Sequence, residues 1–199
     1  MSNFLKNNHL DIPQDLHIHT VFSKGDGAIV SQQTIEFIAS LHHANIVGIS
    51  DHYEYLDNEE DFNLYKKTVK ANGLHLGTEI NGGEWAAKAA KKEFEYFVYH
   101  CRNREQDYEG LDILLSTGKP VIIAHPLFLG TDLNRVPAKS FVEINNRYIW
   151  RANWKEGFKD FTHKFNFVMS SDAHQPNWLN QNIARTVADE LGIKETLLF

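Results

Sequence analysis

The sequence predicts an α/β fold built on parallel strands. Three observations carry that expectation. Short apolar, β-rich runs recur at 15–19, 46–51, 74–80, 94–100, 120–125, 141–145 and 167–171, and most are separated by segments with helical periodicity. With 199 residues and 42% hydrophobic content, the chain can bury one substantial core and is most economically read as a single domain over 1–199. Alternation of strand and helix requires crossover connections, which leaves either an open doubly wound sheet or a closed barrel.

Taken in order, the first strand lies in DLHIHT at 15–20, where alternation sends Asp15, His17 and His19 to one face and Leu16 and Ile18 to the other. A helix is expected over 31–44, with Ser31 as N-cap and Ile35, Ile38 and Leu41 on one face. The next helix, 58–72, is ended by Asn72-Gly73. GEWAAKAAKKE at 83–93 suits either a helix, from its Ala and Lys content, or a long hairpin into strand 94–100. Helices over 105–117, ended by Gly118, over 151–165, and over 177–191, ended by Gly192, complete the reading.

Composition narrows the function. The single cysteine, Cys101, allows neither an internal disulfide nor a thiolate zinc site, so any metal must use His, Asp and Glu; beside His100 it reads as an inert buried neighbour. A formal charge of −6 disfavours long nucleic acid as a partner, because binding a polyphosphate relies on Lys and Arg displacing counterions. Ser116-Thr117-Gly118-Lys119-Pro120 lacks the earlier glycine of a phosphate loop, and no Gly-x-Gly-x-x-Gly occurs. Apolar runs are strand-sized and MSNFLKNNHL lacks a signal-peptide apolar region, so a cytoplasmic enzyme with no membrane segment is the default expectation.

The histidines gather where such a fold puts its chemistry. The C-terminal strand ends read DLHIHT, GISDHY, GTEIN, YFVYH, IIAHP and SSDAH, supplying His17, His19, His52, Glu79, His100, His125, Asp172 and His174. In parallel α/β folds the site lies at those ends and draws residues from several strands. Shared metal binding therefore explains the alternation in DLHIHT better than isolated core histidines do. His9, His42, His43, His75 and His163 fall in the tail, in helices or at strand starts, and read as ordinary structural or surface residues.

This constellation resembles the polymerase and histidinol phosphatase (PHP) family. DLHIHTVFSKGDG at 15–27, ISDH at 49–52, GTE at 77–79, His100, AHP at 124–126 and SDAH at 171–174 match its motifs in order over about residues 15–174. The resemblance implies a distorted (β/α)7 barrel, two or three divalent metal ions and phosphoester hydrolysis. Carried over by position, His17, His19, Glu79 and Asp172 would hold one metal, with Glu79 bridging to a second held by His100 and His125. Asp26, His52 and His174 would hold a third, with Glu79, Asp172 and Asp26 the carboxylates expected to serve catalysis. Asp26, between Gly25 and Gly27, also reads as a turn residue. Asp15 and Ser170 are expected to orient imidazoles from one layer deeper.

Histidine and carboxylate ligation without sulfur suits zinc, manganese or iron. The expected reaction is hydrolysis of a small phosphorylated metabolite or nucleotide by a hydroxide bridging the metals. Arg102, Arg104, Arg135, Arg147 and Arg151 follow strands nominally on the site face, and Arg135 and Arg147 are the expected phosphate contacts. Any of the four tryptophans, Trp85, Trp150, Trp154 and Trp178, could stack on a base or serve packing, and Asn145 could contact substrate or cap a loop. Two alternatives remain open at this point. An amidohydrolase-like C–N hydrolase also begins with His-x-His but usually has a bridging lysine where Glu79 stands, and a non-catalytic metal-stabilised module would tolerate an incomplete ligand set.

Overall fold

The computed structural model describes residues 12–199 of the chain, so His9 and the segment MSNFLKNNHL lie outside the described residues. All seven expected strands form: β1 (Gln14–Asp15), β2 (Ile46–Ile49), β3 (His75–Ile80), β4 (Tyr96–Tyr99), β5 (Val121–Ile123), β6 (Phe141–Asn145) and β7 (Asn166–Ser170). They pair in sequence order and all in parallel. The sheet then curves until its edges nearly meet. At the upper end the closure is a single parallel bridge, Ile18 to Ala173, with His19 N–H donating to the Ala173 carbonyl at 2.9 Å. Lower down, the C-terminal segment fills the gap between β7 and β1. Thr196 N–H bonds to the Phe167 carbonyl at 2.8 Å, and the Gln14 amide donates to the Thr196 carbonyl at 2.7 Å.

Most of the intervening helices match the sequence reading in place and differ in length. They are α1 (Ile35–Leu41), α2 (Glu59–Ala71), α3 (Gly83–Ala89), α4 (Glu105–Ser116), α5 (Pro126–Leu129), α6 (Trp154–Phe158) and α7 (Asn182–Leu191). The cap of α1 is Thr34, whose hydroxyl accepts from Phe37 N–H at 3.2 Å, and not Ser31; Ile35 and Ile38 are buried while Leu41 is 41% exposed. Asn58 caps α2 in the same way, and Gly73, Gly118 and Gly192 take positive φ just beyond α2, α4 and α7. The ambiguous 83–93 segment resolves as a helix. The single helix expected over 151–165 is instead one 3-10 turn at Ile149–Arg151 and the short α6. Among the described residues, no helix is long and apolar enough to cross a membrane.

Inside the barrel, a compact apolar layer forms the floor of the site. Leu16, Tyr96, Val98, Ile122, Ala124 and Val168 cluster there, separate from the larger core between sheet and helices, to which Ile18 belongs. Leu16 and Ile18 thus face different layers, because regular pairing of β1 ends at Asp15 and strict strand alternation does not continue beyond it. The Tyr96 ring spans the floor. Its hydroxyl donates to the Leu16 carbonyl at 2.8 Å, and it lies so close to Gly48 and Gly77 that a Cβ at either would stand 2.3 or 2.2 Å from it. Those two strand positions must therefore lack a side chain.

Candidate metal centre

Above this floor every sequence-derived ligand converges on one buried cluster. Glu79, 2% exposed, stands at its middle on β3. Its Oε1 faces Nε2 of His17 at 3.1 Å, Nε2 of His125 at 3.6 Å and, closest, Nε2 of His100. Its Oε2 faces Nε2 of His19 at 3.3 Å and Nδ1 of His52 at 3.1 Å. Asp172 Oδ1 lies 3.7, 3.6 and 3.4 Å from nitrogens of His17, His19 and His174. Asp26 Oδ2 lies 2.9 Å from His174 and 3.5 Å from His52, while its other oxygen accepts from Ala28 N–H at 2.8 Å. Asp26 is thus both the turn residue and a member of the cluster.

Three groups within it, two of them sharing His19, hold their ligand atoms inside 4.8 Å of one another: His17, His19 and Asp172; Glu79, His100 and His125; and His19, His52 and His174. The Nε2 atoms of His17 and His19 are 3.1 Å apart, and those of His100 and His125 are 3.2 Å apart. Tetrahedral ligands at metal–nitrogen bonds of about 2.0–2.1 Å stand about 3.3 Å apart, so these pairs have the spacing of neighbours on one ion. Glu79 Oε1 is thus buried among three imidazole nitrogens rather than backbone donors.

Local backbone geometry aims two of the ligands. Among the described residues, the non-glycine positions with positive φ are His42, His125 and Asp172. His42 ends α1 in the left-handed region, an ordinary helix terminus. His125 and Asp172, at φ 28° and 54°, each stand two residues beyond the end of a strand, β5 and β7, where the regular extended backbone has stopped. Strain of this kind persists only where surrounding contacts impose it, and it clusters at functional sites.

The cluster divides its protons unevenly. Burial opposes charging of His17, yet Asp172, Glu143 and Glu79 outweigh it and hold its pKa well above the usual imidazole value. Burial likewise opposes charging of His52, and Glu79, Asp26 and Glu54 raise its pKa to about 9. His19 moves well below the usual value, from burial and then from His174 and His52, and burial with Arg147 lowers His174 to about 4. Burial would raise Glu79, but His100, His17 and His52 keep its carboxyl well below the ordinary range. Burial pushes Asp172 up to about 6.

Of the expected phosphate contacts, one reaches the cluster. Arg147 Nη1 lies 3.5 Å from Asp172 Oδ1 and 3.0 and 3.1 Å from the two ring nitrogens of His174, with its guanidinium 5.0 Å from both the Tyr148 and Trp178 ring centres. Arg135 does not. It pairs with Glu105 and stacks on Tyr108 at 3.8 Å, held there by an ion pair the sequence offered no way to anticipate. Arg104 is committed to Asp107 and Glu84, and Arg102 to Asn81. Trp85 and Trp154 pack on the core, Trp150 is 60% exposed, and Trp178 stands 6.0 Å from His174. Cys101 is buried beside His100 with its thiol pushed up to about 12 by burial, which leaves it unreactive.

The side chains that hold the ligands are not those expected. Asp15 accepts from Ser171 N–H at 3.0 Å and faces His43 at 3.2 Å, and Ser170 Oγ, at the end of β7, has no partner; neither hydrogen-bonds a ligand imidazole. Glu143 takes that role. Its Oε1 accepts from His17 Nδ1 at 2.7 Å and its Oε2 from the His125 backbone N–H at 2.7 Å. Burial opposes its ionisation, but His17 holds its pKa at about 2. Asn145 donates to Glu143 at 2.9 Å and to Asp172 Oδ2 at 3.1 Å, and its own oxygen caps the following turn at Arg147 and Tyr148 N–H. The signal for both was a Glu-x-Asn alternation at the end of strand 141–145, sharing the face on which the ligands lie. Asp51, buried, gathers Thr20 and Ser23 through four hydrogen bonds and fixes the loop that carries Asp26. A scan of protein-family models finds no match to this chain, and a search of curated proteins finds none either.

Proposed function

We propose that the chain is a metal-dependent phosphoesterase of the polymerase and histidinol phosphatase type, hydrolysing a small phosphorylated metabolite or nucleotide. The observation that carries this reading is Glu79, a buried carboxylate with one oxygen toward His17, His100 and His125 and the other toward His19 and His52. Its position suits a bridge between cations, because imidazole nitrogens converge on both of its oxygens. His17, His19 and Asp172 would hold one ion, His100 and His125 a second, and Asp26, His52 and His174 a third. Zinc, manganese or iron suits this donor set. Divalent ions in such a cluster lower the pKa of water and offset charge on a transferring phosphoryl group.

The protein's own residues supply the rest. Arg147, stacked between Tyr148 and Trp178, presents its remaining N–H donors at the rim of the cluster, where a phosphate oxygen would accept them. Glu143 holds one proton of His17 on Nδ1, so Nε2 is the nitrogen that would give up its proton to a metal. The buried floor excludes water from below. An amidohydrolase-like reading lacks its bridging lysine, since Glu79 occupies the centre.

Reconstitution with zinc, manganese or iron, followed by assays on phosphomonoesters, phosphodiesters and short oligonucleotides, tests the proposal. Metal-dependent release of phosphate is expected, abolished in Glu79→Gln with an unchanged circular dichroism spectrum. Full activity of Glu79→Gln, or metal-loaded protein inert toward every ester, overturns it.

A further inference from the structure

Beside the cluster opens a cleft of about 320 Å³, lined by Asn146, Arg147, Arg151, Ser171, Trp178 and Asn180. It adjoins the metal centre directly. Arg147 belongs to both, Ser171 precedes Asp172 in the chain, and Trp178 lies 6.0 Å from His174. The volume sits at the small end of the roughly 300–1,000 Å³ of ligand clefts.

Its lining contains two arginines and no carboxylate. Arg151 is exposed and lies over the rings of Tyr148 and Trp150 at 5.5 and 4.9 Å. Among the described residues its side chain has no ion-pair or hydrogen-bond partner, whereas Arg104, Arg135 and Arg185 are all paired with carboxylates. A guanidinium held over aromatic rings keeps its N–H donors available to a planar or tetrahedral anion. Deeper in, Ser171 is 2% exposed and its hydroxyl has no hydrogen-bond partner. A buried hydroxyl of that kind carries an uncompensated desolvation cost until a ligand atom meets it. Asn180, also in the lining, accepts from the Asn146 amide at 3.1 Å.

We infer that this cleft is an anion subsite for the leaving-group side of the substrate, so that the preferred phosphoester carries a second anionic group, carboxylate or phosphate. Arg151 and Ser171 bind that group while Arg147 lies between the two ends. The substrate assignment rests on the phosphoesterase reading; the anion binding does not.

Two matched pairs of esters test it on metal-loaded protein: phenyl phosphate against 4-carboxyphenyl phosphate, and glucose 6-phosphate against glucose 1,6-bisphosphate. The member with the second anion should show kcat/KM higher by about tenfold or more, the scale of one charge-assisted contact. Arg151→Ala should erase that advantage and leave the partner with a single anionic group within about twofold of wild type, because an exposed side chain away from the cluster contributes little else. Which pair shows the effect tells carboxylate from phosphate. In parallel, calorimetric titration with phenylphosphonate and 4-carboxyphenylphosphonate reads binding without turnover. A tenfold affinity difference that depends on Arg151, with no ester hydrolysed, keeps the subsite and removes the phosphoesterase reading. Turnover with both members of each pair equivalent, or an advantage that survives Arg151→Ala, overturns the subsite and leaves the phosphoesterase reading intact.

Discussion

His17 donates its Nδ1 proton to Glu143 across 2.7 Å, and neither side chain has any exposed surface. The same carboxylate receives the backbone N–H of His125, so one buried glutamate orients histidines from two strands. Outer partners of this type raise ligand basicity and fix the ring. Glu143→Gln keeps the volume but exchanges one accepting oxygen for a donor that conflicts with the His125 N–H. Metal affinity should fall about 10–100-fold, measured by chelator competition, with secondary structure unchanged. Wild-type affinity in this variant would show that the contact does not position the ligand.

Arg135 and Arg147 should behave oppositely. Arg147 sits on the cluster, while Arg135 is occupied by Glu105 and Tyr108. Arg147→Ala should raise KM or lower kcat for a phosphomonoester by about tenfold, the scale of one charge-assisted phosphate contact, and Arg135→Ala should leave both within about twofold. Steady-state kinetics on the two variants separates them, and equal losses would contradict the placement.

Protons and metal compete for the same nitrogens. In the metal-free protein, burial works against the charge on His52, but Glu79 and its neighbours hold its pKa at about 9, so it carries a proton at neutral pH. Loading metal must release that proton, and also one from His17, whose pKa is likewise held well above the usual imidazole value, so affinity should rise with pH from neutral through about 9. The sign for metal-free stability is the reverse. Because the folded pKa exceeds the unfolded value of about 6.5, this contribution is full below pH 6.5 and is lost as pH climbs through about 9. Calorimetry in buffers of different ionisation enthalpy counts the released protons; uptake of protons on metal binding would refute the assignment.

The floor of the barrel has its own test. An added methyl at Gly77 would stand 2.2 Å from the Tyr96 ring, which is tied to Leu16 by its hydroxyl and cannot swing away. Gly77→Ala should cost about 1–3 kcal/mol in denaturant unfolding, the usual penalty of overpacking a filled core. A change below about 0.5 kcal/mol would mean that the floor yields more easily than a packed interior does.

Much of this arrangement is legible in the sequence alone. Strand and helix alternate by local periodicity, and the ligand types sit at fixed offsets from strand ends, so His17, His19, His52, Glu79 and His100 could be named from their own short stretches. The less regular parts are not. Ser31 gave way to Thr34 as the cap of α1, and 151–165 split into two short turns, because tertiary contacts and not propensity set where marginal helices start and stop.

The sequence by itself determined the class of fold, the count and direction of its strands and the residues that could ligate metal, since each depends on spacing within a single segment. Only the tertiary structure decided which side chains support those ligands and which arginine serves them. Glu143 reaches His17 from a position 126 residues away, Tyr96 spans Gly48 and Gly77 from a third strand, and Arg147 rather than Arg135 faces Asp172. Such pairings join distant segments through the curvature of the sheet, and no periodicity along one strand encodes the distance across a barrel.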